Sequence, residues 1–112
     1  MDSILLSIKK LLGIDASYTI FDGDIILHIN TAFVILNQIG IGPEEGYMID
    51  SEHQYWDEYT DDMNLNMVKS FIFLNVKINF DPPSSTALLD SMNRTINELT
   101  WRLELQGQNK NK

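Results

Sequence analysis

Apolar residues recur at helical spacing in four stretches of this chain, separated by glycine, proline or acid-rich segments. From Ser3 to Leu12, the residues Ile4, Leu5, Ile8, Leu11 and Leu12 mark one face, Lys9 and Lys10 suit the negative C-terminal end, and Gly13 closes the helix. A second helix is predicted from Asp24 to Ile39, ahead of Gly40, with Asp22 or Asp24 available as its cap. Ile25, Ile29, Phe33 and Leu36 form its stripe, and Ile26, Leu27, Val34 and Ile35 widen it. Only a strip of His28, Thr31 and Gln38, with Asn30 and Asn37 beside it, stays polar. A helix so nearly apolar all round is expected in the middle of the fold, or under a neighbouring subunit.

The second half is divided by Phe80-Asp81-Pro82-Pro83-Ser84-Ser85. Proline lacks an amide donor and clashes with the preceding turn, so a helix arriving at Phe80 stops there. Asp81, Pro82 and Pro83 then make a rigid corner, and Ser84 or Ser85 is placed to cap the next helix. The flanking helices are predicted near Leu65 to Asn79 and Ser85 to Gln106. On the first, Leu65, Val68, Phe71, Ile72 and Ile78 share one face, while Phe73 falls among Asn66, Lys69, Ser70 and Lys77. On the second, Leu88, Leu89, Met92, Ile96, Leu99 and Leu103 form a seam, and Trp101 and Leu105 project from the other side. The seam residues Leu89, Met92, Ile96 and Leu99 are expected to be largely buried.

Between Ile41 and Met63 the periodicity fails. Tyr47-Met48-Ile49 fits a short strand and Tyr55 to Thr60 a single helical turn. Glu44, Glu45, Asp50, Glu52, Asp57, Glu58, Asp61 and Asp62 fall here, half of the 16 acids, with no lysine or arginine among them. The predicted fold class is therefore all-α: a small bundle of about four helices with a long acidic loop between the second and third. One domain over residues 1–106 is expected, and the polar residues 107–112 read as a disordered tail.

A formal charge of −8 argues against electrostatic capture of nucleic acid or anionic lipid. The absence of cysteine removes disulfides, thiolate metal sites and thiol nucleophiles. No signal peptide or membrane span is indicated, so a soluble, cytoplasmic protein is expected. The acidic run lacks the alternating ligands and central glycine of a calcium loop, and His28 and His53 show no paired metal-ligand spacing. No glycine-rich phosphate loop or nucleophile elbow is present. Neither an enzyme, a metal nor a cofactor is expected. The acids Asp57, Glu58, Asp61 and Asp62 instead suit a solvated loop or a functional acidic surface.

Asp90 to Arg94 and Glu98 to Arg102 are acid-then-base pairs at four-residue spacing, which give local helix support. Tryptophan and arginine are also enriched at the energetic centres of interfaces, so Phe73, Arg94, Trp101, Arg102 and Leu105 form a candidate interface.

These residues lead to a resemblance. Ser7-Ile8-Lys9-Lys10-Leu11-Leu12-Gly13-Ile14, Asp24-Ile25-Ile26-Leu27-His28-Ile29-Asn30 with Leu36-Asn37-Gln38-Ile39-Gly40, Val68-Lys69 leading to Phe80-Asp81-Pro82-Pro83, and Leu99-Thr100-Trp101-Arg102-Leu103 follow in order. In that order and spacing the chain resembles the small helical head-tail connector, or adaptor, proteins of tailed bacteriophages and prophages. The resemblance implies a structural subunit of a ring below the portal, made in the host cytoplasm and placed in the virion neck. Implied partners are copies of itself, the portal protein and a tail-side stopper or completion protein, with DNA passing non-specifically and no membrane. An acidic DNA mimic that occupies a basic site on a host protein is the alternative reading of the carboxylate run.

Overall fold

The structure, a computed structural model, describes residues 2–60 and 64–110. Five helices follow in order: α1 (Ile4–Leu12), α2 (Asp22–Gln38), α3 (Trp56–Tyr59), α4 (Leu65–Phe80) and α5 (Thr86–Lys110). Four are the long helices read from periodicity, and α3 is the single turn anticipated near Tyr55. The strand suggested at Tyr47-Met48-Ile49 is absent. The described residues contain no strand, only an isolated bridge between Ser3 and Tyr55.

Local chemistry sets most helix ends. Ser3 caps α1 by accepting from the Leu6 amide at 3.2 Å, and Gly13 closes it in the left-handed conformation, φ 80°. At the corner, α4 ends at Phe80, Lys77 reaches Asp81 at 2.8 Å, and Ser85 Oγ accepts from the Leu88 amide at 3.2 Å. Asp81, Pro82 and Pro83 thus separate α4 from α5 as their sequence predicts.

The centre of the fold is α4, not α2. Among the described residues α4 packs against each of α1, α2 and α5. Its buried Val68, Phe71, Ile72 and Val76 join Ile25, Ile29, Phe33 and Leu36 of α2 and Ile4, Leu5 and Ile8 of α1. The outer side of α2 stays open: Leu27 and Val34 are exposed on either side of Thr31. A helix apolar almost all round can therefore keep one side open, because periodicity reports which side chains are apolar and not how many neighbours arrive to cover them.

The seam on α5 is also corrected. Leu103 is fully buried, but Leu89, Met92, Ile96 and Leu99 are half-buried and Leu88 is 52% exposed. Helix α5 has one principal neighbour, α4, so its seam is covered from one side only. At 25 residues it spans about 37 Å, close to the 43 Å length of a molecule only 19 Å thick. Helix α5 runs on to Lys110, past the Gln106 at which periodicity ends it. Gly107 is buried, and a Cβ there would collide with the Ile39 carbonyl; in turn a Cβ on Gly40 would meet the Gly107 Cα at 3.3 Å. Glycine here serves a close backbone approach and does not end the helix.

Candidate functional site

The acidic loop is pinned to the helical frame. Asn30 clamps Ile49 from both sides, its Oδ1 accepting from the Ile49 amide at 2.8 Å and its Nδ2 donating to the Ile49 carbonyl at 2.9 Å. One helical stripe further on, Asn37 donates to the carbonyls of Pro43 and Glu44, both at 3.2 Å. Ser3 donates to the Glu52 carbonyl at 2.7 Å, the Ile4 amide to the Gln54 carbonyl at 2.9 Å, and the Trp56 indole to Ser7 at 2.8 Å. Trp56 is buried, and the Lys69 ammonium lies 5.4 Å from its ring centroid. The side chains read as a polar strip on α2 thus include two anchors for the loop.

On this scaffold Glu44, Glu45, Asp50, Glu52, Asp57 and Glu58 are all exposed. Glu58 also accepts from the Tyr55 amide at 2.7 Å, so it helps to start α3 as well as adding charge. Asp61 and Asp62 lie outside the described residues. Among the described residues no group of three histidine, cysteine or acidic side chains is placed to hold a metal ion. His53 is exposed, 3.8 Å from Glu52, and His28 is half-buried with its ring centroid 6.5 Å from that of Phe80. Among the described residues no helix is long and apolar enough to cross a membrane.

Beneath the loop, Phe33, Tyr47 and Tyr59 form an aromatic trio, with centroids 5.2 Å apart for Phe33 and Tyr47, 4.8 Å for Phe33 and Tyr59, and 5.3 Å for Tyr47 and Tyr59. Burial raises the Tyr59 hydroxyl above its ordinary value, and its oxygen has no hydrogen-bond partner. Tyr47 is raised as well, first by burial and then by the charges of Glu58 and Asp57. A Cβ on Gly42 would meet the Tyr59 ring at 2.6 Å, so this glycine admits the ring under the loop.

The candidate interface residues separate. Phe73 is half-buried against its own chain's core, not on the polar side where its spacing puts it, because α4 is covered from several directions. Trp101 is 60% exposed and Leu105 41%, both on the side of α5 away from buried Leu103. Arg102 pairs with Glu98 at 2.9 Å, whereas exposed Arg94 forms no ion pair with Asp90.

Lys9 carries a role that its sequence reading missed. Its side chain is fully buried, and its ammonium reaches the carbonyls of Ala16 at 3.1 Å and Tyr18 at 2.8 Å and the Asp22 carboxylate at 2.8 Å. Two hydrogen bonds to carbonyls and one ion pair thus tie the α1–α2 loop to the start of α2. The signal was positional: Lys9 shares a face with Leu5, Ile8 and Leu12. Nearby, the backbone amide and then the hydroxyl of Ser17 hold the Asp15 carboxyl below its ordinary value.

No curated protein and no solved structure is significantly similar to this chain. A family model described as phage connector protein matches residues 4–110, which takes in all five helices and the pinned loop. That match implies contact with other head or tail proteins of a phage and a place in the virion neck. By this match over nearly its whole length, the chain belongs to the phage connector protein family.

Proposed function

We propose that the protein is one subunit of a ring that sits beneath the portal, joins head to tail and lengthens the channel through which the genome leaves. The family match across residues 4–110 carries this reading. The α4–corner–α5 unit forms the ring wall, and the exposed side of α5 bearing Arg94, Trp101, Arg102 and Leu105 meets another subunit or the portal. The role is structural and breaks no bond. Neighbours on one side are copies of this chain, and on the other the portal protein or a tail-side stopper.

Pinned carboxylates at Asp50, Glu52, Asp57 and Glu58, repeated around a ring, repel phosphate and lower the adhesion of passing DNA, since adhesion grows with each phosphate neutralised. Electron-microscopic imaging of virion necks tests the assignment, with a ring below the portal as the expected result. Necks that contain no copy of the chain overturn it. A Glu52→Gln/Asp57→Asn variant tests the channel role separately: ejection should slow, and added salt should relieve the defect. Unchanged ejection kinetics, or a ring that turns these residues outward, would reduce the acidic face to a solubility or docking surface.

A further inference from the structure

Between α2 and the pinned loop lies an open cleft of about 380 Å³. Phe33, Val34, Tyr47 and Met48 are its apolar walls, and Asn37 and Glu45 its polar ones. Val34 is 49% exposed and Met48 65%, so the cleft continues the uncovered side of α2. Its floor is stiff, because Phe33 and Tyr47 belong to the aromatic trio with Tyr59.

We infer that this cleft receives Trp101 of the next copy of the chain, an inference that rests on the ring reading and names the two faces that meet. Three observations select that occupant. The first is shape: an indole is flat, apolar and small enough for the volume, and 60% of Trp101 is left uncovered by its own chain. Next is charge. Residues 41–60 contain no lysine or arginine and expose Glu44 and Glu45 beside the cleft, whereas exposed Arg94, which has no ion pair among the described residues, shares the Trp101 face, where Glu98 already neutralises Arg102. Arg94 therefore brings an unpaired cation toward the carboxylates at the rim. The third is the hydrogen bond an indole needs. Asn37 commits its Nδ2 to the carbonyls of Pro43 and Glu44, which fixes the amide orientation and leaves Oδ1 as an acceptor on the wall for the Trp101 N–H.

Trp101 does not line the cleft of its own chain, so donor face and acceptor face are different patches. Such a contact is heterologous, the kind that closes a ring when the rotation per subunit allows it.

Because the chain has no cysteine, single introduced thiols report this contact cleanly. Asn97→Cys stands one turn before Trp101, and Met48→Cys stands on the cleft wall. Particles assembled with a mixture of the two variants should yield, on mild oxidation, a cross-linked pair containing one of each. A control pair of Asn97→Cys with Ile20→Cys, exposed and just ahead of α2, about 18 Å along that helix from Val34, should not cross-link. Trp101→Ala should weaken assembly about thirtyfold, the scale of an interface hot spot. Val34→Trp, which fills the cleft from within its own chain, should do the same while retaining wild-type helicity by circular dichroism. Rings that form without the Asn97–Met48 cross-link, or that assemble equally well with folded Val34→Trp, overturn the cleft as docking site and leave the ring intact. Necks without the protein overturn the ring reading itself.

Discussion

Replacing Lys9 by methionine keeps the length of the side chain and deletes only the ammonium, which isolates the latch between α1 and α2. The variant leaves the Ala16 and Tyr18 carbonyls and the Asp22 carboxylate without the cation that they share. Breaking a buried ion pair by removing one partner costs about 3 to 5 kcal/mol. The Asp22 side chain is 25% exposed, so water recovers part of its solvation, and the lower end, about 3 kcal/mol, is the working figure. For a chain of this length total stability is roughly 6 to 17 kcal/mol, so the loss is large but compatible with folding. Urea unfolding followed by far-ultraviolet circular dichroism reads it directly. Adding Asp22→Leu to Lys9→Met removes the stranded charge and should recover part of the loss, giving clear non-additivity in a double-mutant cycle. Moderate salt should change the Lys9 contribution little, because buried pairs are weakly screened, while any support from Glu98–Arg102 on the surface should fade. A loss below about 1 kcal/mol for Lys9→Met, or strictly additive losses in the double variant, would refute the latch.

Two further outcomes follow from burial. Leu103→Ala should cost about 2 to 5 kcal/mol and half-buried Leu99→Ala clearly less; equal losses in urea titration would mean that α5 is rotated about its axis relative to α4. In an alkaline absorbance titration, Tyr47 and Tyr59 should ionise above the ordinary value of 10.0 for the folded protein. Their folded values are raised, so the folded state holds these protons more tightly than the unfolded chain does. The associated stability is therefore complete below about pH 10 and falls as pH rises past it. Ordinary tyrosine titration of both rings in a protein still folded by circular dichroism would contradict the buried trio.

The corner was legible in the sequence because Pro82 and Pro83 exclude alternatives by covalent geometry, and Ser85 supplies a cap whose chemistry is local. The four long helices were legible because their apolar positions repeat on one face. What lay beyond reach was which helix meets which. Leu27 and Val34 are aliphatic like Ile25 and Ile29, but no described element arrives to cover them. Asn30 and Asn37 looked like solvent-facing polar residues, yet their spacing of seven places both beside the buried stripe, within reach of loop backbone that a sequence cannot position. Gly107 reads as a helix stop until Gly40 is known to lie against it. Of the candidate interface, the α5 face emerged because Trp101 contradicts its polar surroundings. The cleft on α2 did not, since its walls come from two segments joined only by folding.

The same pinned loop that builds the cleft also fixes the charge around it. Six exposed carboxylates between Glu44 and Glu58 are carried on backbone held by Asn37, Asn30, Ser3, Ile4 and Trp56, so their points of attachment stay fixed toward an approaching copy. Each chain brings a formal charge of −8, and like-charged subunits repel over about a Debye length, near 8 Å at physiological salt. Association on the proposed ring therefore has to come from contacts shorter than that range. An indole inserted into an apolar cleft acts only at contact, and Arg94 beside it offsets a nearby carboxylate, not the whole field. Repulsion left over elsewhere then works against every arrangement in which acidic faces meet. In the proposed ring the charge thus selects among docking modes, while the proposed Trp101 contact supplies the attraction, and one segment serves both because the α2 asparagines hold its backbone in place.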